Sequence, residues 1–484
     1  MNERAPARCD VAIRDGTVID GTGEVRRAAD VAITGDRIVA VGDLGGTAAA
    51  REIDATGRIV APGFIDVHTH DDRALLSGPD MSMKVSQGVT SVIIGNCGVS
   101  LSPIVLERPP PPPMNLLGDQ SWYRFATTAA YVEEVERRPA ALNAALLIGH
   151  STLRVGTMDT IDGAATDAEI VAMGGLLAEG MAAGALGFST GLFYPTNSGA
   201  PTDEVVALAE VASRAGGMYV THMRNEHDGV AESLDETFEI GQRADMPVVI
   251  SHHKCAGARN FGRTRETLAK IDAARAEQDV GLDVYPYAAG STALMSEMLD
   301  GEAKVLITWS TAKPEMAGRY LSEIAAELGI SEMEAADRLQ PAGAVYFMMD
   351  EYDVQRILSY PHSMIGSDGI PHDERPHPRL WGTFPRVLGH YARELGLFSL
   401  EEAVRKMTGL SAARFGLVDR GEVRAGAFAD LVIFDAETVA DRATYADPIQ
   451  PAAGIDRVIV NGLVIWEDGA ASGERPGRIL KRAA

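Results

Sequence analysis

The sequence is poor in cysteine, in basic residues and in long apolar runs, and each shortage excludes a class of protein. It has only three cysteines, Cys9, Cys97 and Cys255, and such a small, odd number does not suit a disulfide framework. Lys and Arg total 44 against 68 Asp and Glu, and this net charge of −24 argues against nucleic acid and anionic membranes as partners. Residues 1–4 form no apolar signal region, and no run approaches the roughly 18 apolar residues of a membrane span. We therefore expect a cytoplasmic protein in a reducing compartment.

The middle of the chain alternates apolar strands with helix-length segments. Eight such strands are predicted: Phe64–His70, Ser91–Gly98, Ala145–His150, Ala185–Thr190, Met218–Met223, Val248–His253, Gly281–Tyr287 and Ser363–Gly369. Eight βα repeats over this length predict a (β/α)₈ TIM barrel of the α/β class. The gap between the last two strands is too long for one βα unit, so we expect an inserted helical subdomain or lid at about residues 288–350.

Both ends of the chain are rich in short strands. The pairs Asp15-Gly16 and Asn461-Gly462 each lie between apolar runs, which is a hairpin signal. Two β-rich ends around a different middle predict one small β-sandwich domain built from residues 1–61 and 415–484. Residues 62–414 are then left for a metal-dependent barrel.

Seven of the eight predicted strands end in groups that can bind a metal or move a proton. These groups are His68 and His70, Cys97, His150, His222, His252 and His253, Asp283 with Tyr285, and Asp368. In a barrel such ends converge on the C-terminal face, where these enzymes keep their sites. Residues two apart point to the same side of a strand, so His68 and His70 can bind one ion. The pattern predicts a metal site at this face.

Several of these residues have a second interpretation. A lone cysteine such as Cys97 is usually a small buried apolar residue, but a thiolate at a strand end is also a good zinc ligand that can bridge two metal positions. His252 and His253 cannot both point inward from one strand, and we assign His252 to the metal. His150 is either a residue close to the site or a core residue. We treat Cys255 as structural.

Asp368 lies in the segment Gly366-Ser367-Asp368-Gly369, where an aspartate before glycine often caps a turn. Beside zinc ligands, however, a carboxylate has a chemical task. Zinc lowers the pKa of its water, and a base must take the proton and later deliver it to the departing nitrogen of an amide. We assign this acid–base role to Asp368.

These residues resemble the amidohydrolase superfamily over nearly the whole chain, from Gly57–His70 to Gly421–Leu431. Within the superfamily the chain is similar to the D-aminoacylases, the N-acyl-D-amino-acid deacylases. The motifs that carry this resemblance are Gly95–Gly98, Gly149–Arg154, Thr221–Glu226, Ser251–Lys254 and Gly366–Gly369.

The resemblance implies one tightly held zinc on Cys97, His222 and His252, and a second, weaker position at His68 and His70. It also implies that the substrate is a small N-acyl amino acid with an apolar side chain, hydrolysed to a carboxylate and a free D-amino acid by a monomer or homodimer. The preference for the D form comes from the family alone. The substrate-binding residues it suggests are Lys254, Tyr285, Ser291 and Arg379 for the carboxylate, Phe193 and Met349 for the side chain, and His150.

Three alternatives remain. Hydantoinases, dihydropyrimidinases and dihydroorotases resemble this barrel but bridge two zincs with a carboxylated lysine from strand 4, and this strand ends Gly187-Phe188-Ser189-Thr190, without lysine. An N-acyl-D-glutamate or N-acyl-D-aspartate deacylase would keep the same site with a different side-chain pocket. A non-catalytic scaffold relative would usually lose metal ligands, and this chain retains them.

Overall fold

Eight parallel strands form one sheet in the computed structural model, which describes residues 6–299 and 301–482. We number them β1 to β8: Phe64–Asp66, Val89–Ile94, Asn143–Gly149, Gly187–Gly191, Met218–His222, Val248–Ile250, Val280–Val284 and Ser363–Ile365. Each strand pairs with the next along the chain, and Thr69 and Gly369 form a parallel bridge between the segments that follow β1 and β8. The predicted barrel is confirmed, with strands that mostly end before the side chains predicted to bind a metal.

The strands are apolar because the barrel buries them on both sides. All residues of β2 and β3 are buried, and Ile65, Val67 and Val220 belong to the cluster that fills the barrel interior. Helices pack around the outside: His150–Thr157, Asp167–Ala182, Thr202–Arg214, Val230–Ala244, Thr264–Arg275, Glu351–Ser359, Arg379–Arg386, Leu400–Met407 and Gly409–Phe415. This rigid layer holds the strand ends that carry the candidate site.

Strands from both ends of the chain build a β-sandwich beside the barrel. One sheet has four strands, Arg8–Arg14, Asp30–Thr34, Arg37–Gly42 and Ala48–Asp54. The other has seven, Thr17–Val18, Arg27–Ala28, Ile59–Pro62, Leu431–Phe434, Ile455–Val460, Leu463–Glu467 and Ala470–Ala471. Ile59–Pro62 pairs with Leu431–Phe434, and only Gly63 separates Pro62 from β1. The sandwich therefore anchors the first barrel strand directly.

The insertion between β7 and β8 is only partly helical. It contains the helices Leu321–Leu328 and Glu332–Leu339, as expected, but also an antiparallel sheet that was not predicted. Its strands are Gly290–Ala293, Ala342–Phe347 and Lys304–Ser310, in that spatial order. The β-forming run from Val305 to Trp309 explains the sheet, since branched and aromatic side chains pack well on a pleated surface. The strand Gly290–Ala293 lies at the barrel mouth.

No helix among the described residues is both long enough and apolar enough to cross a membrane.

Candidate metal centre

One sulfur and two ring nitrogens meet at the mouth of the barrel. The Sγ atom of Cys97 lies 3.4 Å from Nε2 of His252, and that nitrogen lies 3.1 Å from Nδ1 of His222. Zinc binds sulfur at about 2.3 Å and nitrogen at about 2.0–2.1 Å in a tetrahedron, so ligands of one ion lie about 3–4 Å apart. All three residues are buried, and their donor atoms suit zinc in both type and spacing.

A second group of donors lies on the other side of Cys97. Its Sγ is 3.2 Å from Nε2 of His68, while Nε2 of His70 is 3.2 Å from Oδ1 of Asp368. The same Asp368 oxygen lies 3.5 Å from Nε2 of His68. Cys97 therefore contacts both His68 and His252, and these three residues form one compact group of possible metal ligands with Asp368.

The backbone is strained at three residues of this cluster. Cys97, His252 and Asp368 have φ angles of 53°, 35° and 49°, in the left-handed region that residues with a side chain rarely adopt. Such strain collects at functional sites, where the surrounding structure imposes it. The turn before Cys97 also needs glycine, because a Cβ on Gly95 would lie 2.1 Å from the carbonyl oxygen of Leu147. The chain thus turns sharply as it leaves β2, β6 and β8 and directs these side chains to the mouth.

The charges of the cluster keep its thiol ionised. Burial opposes the charged form, but His68 and His252 hold the pKa of Cys97 well below its usual range. A thiolate is the form that binds a metal. The other two thiols differ, since burial raises the pKa of Cys255 to about 11 and also raises that of Cys9.

Arg379 holds the carboxylate that is predicted to act as the acid–base group. Its Nη1 lies 2.9 Å from Oδ2 of Asp368, and its Nη2 donates to the carbonyl oxygen of Ser291 at 3.0 Å. The guanidinium also lies over the ring of Tyr285, 4.5 Å from its centroid. Burial favours the neutral acid, but Arg379 and His68 keep the pKa of Asp368 well below its usual value. Asp368 is therefore ionised at neutral pH.

Lys254 is paired with a carboxylate to which the sequence assigns no role. Its Nζ donates to both oxygens of Glu226, at 2.8 and 2.7 Å. Burial works against the charge, but Lys254, His222 and His252 hold the pKa of Glu226 well below its usual range. A signal was present in the sequence, because Glu226 follows the ligand candidate His222 by only four residues in the same strand-end segment.

A narrow pocket opens beside the metal cluster. Its apolar wall is formed by Phe193, Met298, Tyr346 and Met348, and its polar side by Lys254, Tyr285, Ser291 and Asp368. Phe193 stacks on the ring of His222 with centroids 5.6 Å apart, which ties the apolar wall to the metal cluster. Among the described residues that line the pocket, Lys254 is the only lysine or arginine.

Three predicted substrate residues, Arg379, Met349 and His150, do not line this pocket. Met349 lines an adjoining cavity that shares His252, Lys254 and Tyr285 with the pocket, and the preceding residue, Met348, lines the pocket itself. Consecutive residues of an extended segment point to opposite sides, which is why only one of the two methionines lines the pocket. The substrate role of Met349 stays a prediction.

His150 begins a helix after β3 and lies away from the pocket. Its Nε2 is 3.0 Å from Oε1 of Glu204, and its Nδ1 is 3.2 Å from Nδ2 of Asn197. Of its two interpretations, the structure favours that of a buried core residue. His253 likewise turns outward, with Nε2 2.8 Å from Oγ1 of Thr267, while its neighbour His252 points to the cluster.

A buried lysine connects the first and last strand ends, and the sequence does not predict it. Lys84 donates to Oδ2 of Asp66 and to Oγ of Ser367, each at 2.7 Å, and lies 3.4 Å from Asp71. Asp66 also accepts from the backbone N–H of Ser367 at 2.7 Å. This network fixes the segment that carries Asp368.

A barrel with a buried thiolate, histidines and a carboxylate at its mouth defines a metal-dependent hydrolase of the amidohydrolase type. The sequence matches the Amidohydrolase family over residues 51–465, and the chain belongs to this family.

Characterised proteins resemble the chain over almost their full length. It is 55% identical to a D-aminoacylase of Alcaligenes xylosoxydans xylosoxydans over 98% of both chains. It is 50% identical to an N-acyl-D-aspartate deacylase of the same organism, over 98% of this chain and 96% of that one. The crystal structure of an N-acyl-D-glutamate deacylase from Bordetella bronchiseptica, complexed with zinc and a phosphonate inhibitor, superposes with a TM-score of 0.95. Its sequence is 46% identical, and the match covers 98% of this chain and all of that one.

Proposed function

We propose that this protein is a zinc-dependent amidohydrolase that cleaves the amide bond of N-acyl-D-amino acids into a carboxylate and a free D-amino acid. The observation that carries the proposal is the meeting of Cys97, His222 and His252 with Asp368 at one barrel mouth. The similar D-aminoacylase and the zinc-bound deacylase structure support the metal, the linear amide and the D configuration.

The residues of this chain divide the chemistry between them. When bound, zinc polarises the amide carbonyl and lowers the pKa of a water towards neutrality. Asp368, held as a carboxylate, takes the proton of the attacking water and returns it to the departing nitrogen, which is a poor leaving group until it is protonated. Arg379 holds Oδ2 of Asp368, so Oδ1, on the side of the histidines, is the oxygen that exchanges the proton. We assign one tightly bound zinc to Cys97, His222 and His252. A second, weakly bound ion is assigned to His68 and His70.

Lys254, Tyr285 and Ser291 form the subsite that we assign to the substrate carboxylate. All three line the pocket, and a cation beside a phenol and a hydroxyl suits a carboxylate. Burial raises the pKa of Tyr285 far above its usual value, so its phenol stays a hydrogen-bond donor. Arg379 supports this subsite from behind the Tyr285 ring.

Phe193, Met298, Tyr346 and Met348 favour an apolar side chain, as in derivatives of D-Met, D-Leu or D-Phe. The pocket is lined by the carboxylates of Glu226 and Asp368, and we assign it the substrate's own carboxylate as well. An acidic side chain would add a further carboxylate, and burying an unpaired charge is costly. Lys254 gives two of its three donors to Glu226, so at most one is left, for the substrate's own carboxylate. We therefore rank the apolar substrates above N-acyl-D-aspartate and N-acyl-D-glutamate.

A substrate panel tests the proposal. The purified protein would be assayed with N-acetyl-D-methionine, its L enantiomer, N-acetyl-D-glutamate, N-acetyl-D-aspartate, hydantoin and dihydrouracil, and its zinc content measured on the same sample. We expect hydrolysis of the D-methionine derivative to exceed all others. Activity confined to the two cyclic amides would reject the proposal, and a preference for the acidic substrates would reject only the side-chain assignment.

We also propose that the protein works in the cytoplasm, as a monomer or homodimer. Its cysteines Cys9, Cys97 and Cys255 are all free and buried, and a reducing compartment keeps the Cys97 thiolate available.

A further inference from the structure

The outward nitrogens of the two zinc histidines converge on one carboxylate. Nδ1 of His252 lies 3.0 Å from Oε1 of Glu226, and Nε2 of His222 lies 3.5 Å from Oε2 of the same residue. All three side chains are at least nine-tenths buried. The inward nitrogens are the opposite ones: Nε2 of His252 lies 3.4 Å from Sγ of Cys97, and Nδ1 of His222 lies 3.1 Å from that Nε2. One carboxylate therefore stands behind both rings, with one oxygen for each.

We propose that Glu226 is a positioning residue that orients both zinc histidines by accepting a hydrogen bond from the outward ring nitrogen of each. The inference rests on the zinc centre proposed above. A histidine that binds a metal through one nitrogen usually donates the proton of the other to an acceptor, which sets its tautomer and its angle. Here a single acceptor would set two ligands in opposite tautomers, protonated on Nδ1 in His252 and on Nε2 in His222.

A second interpretation is that Glu226 is itself a metal ligand, because it forms a compact group with His222 and His252. The ammonium of Lys254 argues against this. Its Nζ lies 2.8 and 2.7 Å from the two oxygens of Glu226 and 2.7 Å from Nδ1 of His252, where a cation shared by these groups would have to lie. Lysine therefore fills the outer position, and zinc is left with the inner one beside Cys97.

The hydrogen-bonding roles depend on which nitrogen of His252 carries the proton. The ammonium of Lys254, 2.7 Å from Nδ1 of His252, has only donors, so it can bond this nitrogen only while the proton is on Nε2. When Nε2 binds the metal, Nδ1 carries the proton, and Glu226 Oε1, 3.0 Å away, is the acceptor for it. The two oxygens of Glu226 can accept from Lys254 and from both rings at once. Without the carboxylate, the buried ammonium would face the protonated Nδ1 of His252 with no acceptor between them.

Zinc affinity tests the proposal without any substrate. In Glu226→Gln only one side-chain oxygen remains, so at least one ring loses its acceptor, and we expect the dissociation constant for zinc to rise about 10- to 100-fold. Glu226→Asp keeps the charge with a shorter reach, and we expect an intermediate value. The constants would be measured on metal-free protein by competition with a chelator, after circular dichroism has shown that each variant is folded.

Glu204→Gln is a matched control from the same chain. Glu204 is a buried carboxylate that contacts His150 at 3.0 Å and pairs with Arg154, so it repeats the chemistry of Glu226 away from the metal. We expect this variant to lose stability but to keep the wild-type zinc affinity. Unchanged zinc affinity in Glu226→Gln, or an equal loss in both variants, would overturn the proposal.

The wild-type protein provides a test that does not depend on a variant folding. In zinc-loaded protein with ¹⁵N-labelled histidine, we expect His252 to carry its proton on Nδ1 and His222 on Nε2. The reverse assignment for either ring would overturn the proposal. Neither measurement involves the amide substrate, so a failure of the substrate assignment would leave both results unaffected.

Discussion

The guanidinium of Arg379 lies 2.9 Å from the carboxylate of Asp368, and no part of the Arg379 side chain is exposed. An arginine in this position stabilises the charged form of its partner. We therefore expect Arg379→Gln to raise the pKa of Asp368. Since the carboxylate acts as a base only above its pKa, the acid limb of the pH profile of kcat/KM should move to higher pH.

The matched control for that profile is Arg414→Gln. Arg414 is also largely buried and pairs with Asp279 at 2.6 Å. Asp279 lies just before β7 begins, so this pair is at the end of the barrel opposite the site. Its profile should keep the wild-type acid limb. An unshifted limb in Arg379→Gln would contradict the role given to Arg379.

Replacing Asp368 with Asn removes the proposed proton carrier while preserving the size of the side chain. We expect kcat for N-acetyl-D-methionine to fall about 10²- to 10⁴-fold, which is the usual worth of a general acid–base group. Metal analysis and circular dichroism should detect zinc and an intact fold in the variant. Near-normal turnover with zinc bound would show that another group moves the proton.

Met348 and Met349 offer a comparison of neighbours with the same side chain. Met348 lines the pocket beside the metal cluster, whereas Met349 lies outside that lining and contacts the hydroxyl of Tyr285 through its sulfur at 3.8 Å. Met348→Ala should lower kcat/KM for N-acetyl-D-methionine by about 10-fold or more, because the pocket loses apolar contact with the substrate. Met349→Ala should affect thermal stability more than selectivity. Equal losses of kcat/KM in the two variants would contradict the assignment of the pocket.

The ionisation of Cys97 can be measured after zinc is removed. His68 and His252 hold the pKa of this thiol low, while Cys9 and Cys255 have raised pKa values. At neutral pH the metal-free protein should therefore show the ultraviolet absorbance of one thiolate. Cys97→Ser should abolish this signal and Cys255→Ser should leave it intact; the opposite pattern would locate the thiolate elsewhere.

Lys84 is predicted to stabilise the fold through its buried partners. Lys84→Met would leave Asp66 and Asp71 without their cation, and breaking a buried pair in this way costs about 3–5 kcal/mol. The free energy of unfolding from urea titration would measure the loss. Arg51→Met, which breaks an exposed pair with Glu467, should cost less than about 1 kcal/mol. A similar loss of unfolding free energy in both variants would indicate that the buried pairs of Lys84 do not stabilise the fold.

Sequence patterns were sufficient for the barrel because its strands are short apolar runs separated by helix-length segments. Polar residues at or just after the strand ends pointed to Cys97, His222 and His252, and in the structure His252 contacts both of the others. Sequence patterns could not predict that Met348 lines the pocket. Its direction depends on the insertion sheet, whose strand Ala342–Phe347 ends just before it.

Glu226 and Lys84 escaped the sequence patterns for a different reason. Each contacts partners from other strand-end segments, which come together only in the folded barrel. Lys84, for example, donates to Ser367, 283 positions away, and Glu226 accepts from Lys254, 28 positions away. Charged residues are usually exposed, so their burial and pairing become visible only when the strand ends are assembled.

The closure of the barrel has a consequence for the timing of synthesis. The backbone N–H of Asp368 donates to the carbonyl oxygen of His68 at 2.8 Å, so the first and last strands meet at the reacting groups. A growing chain makes His68 and His70 about 300 residues before Asp368. Until β8 docks against β1, the nascent protein has these candidate metal donors but not the proposed proton carrier beside them. On the role proposed for Asp368, the site is complete only when the barrel closes, and a chain that stops before Asp368 should be inactive.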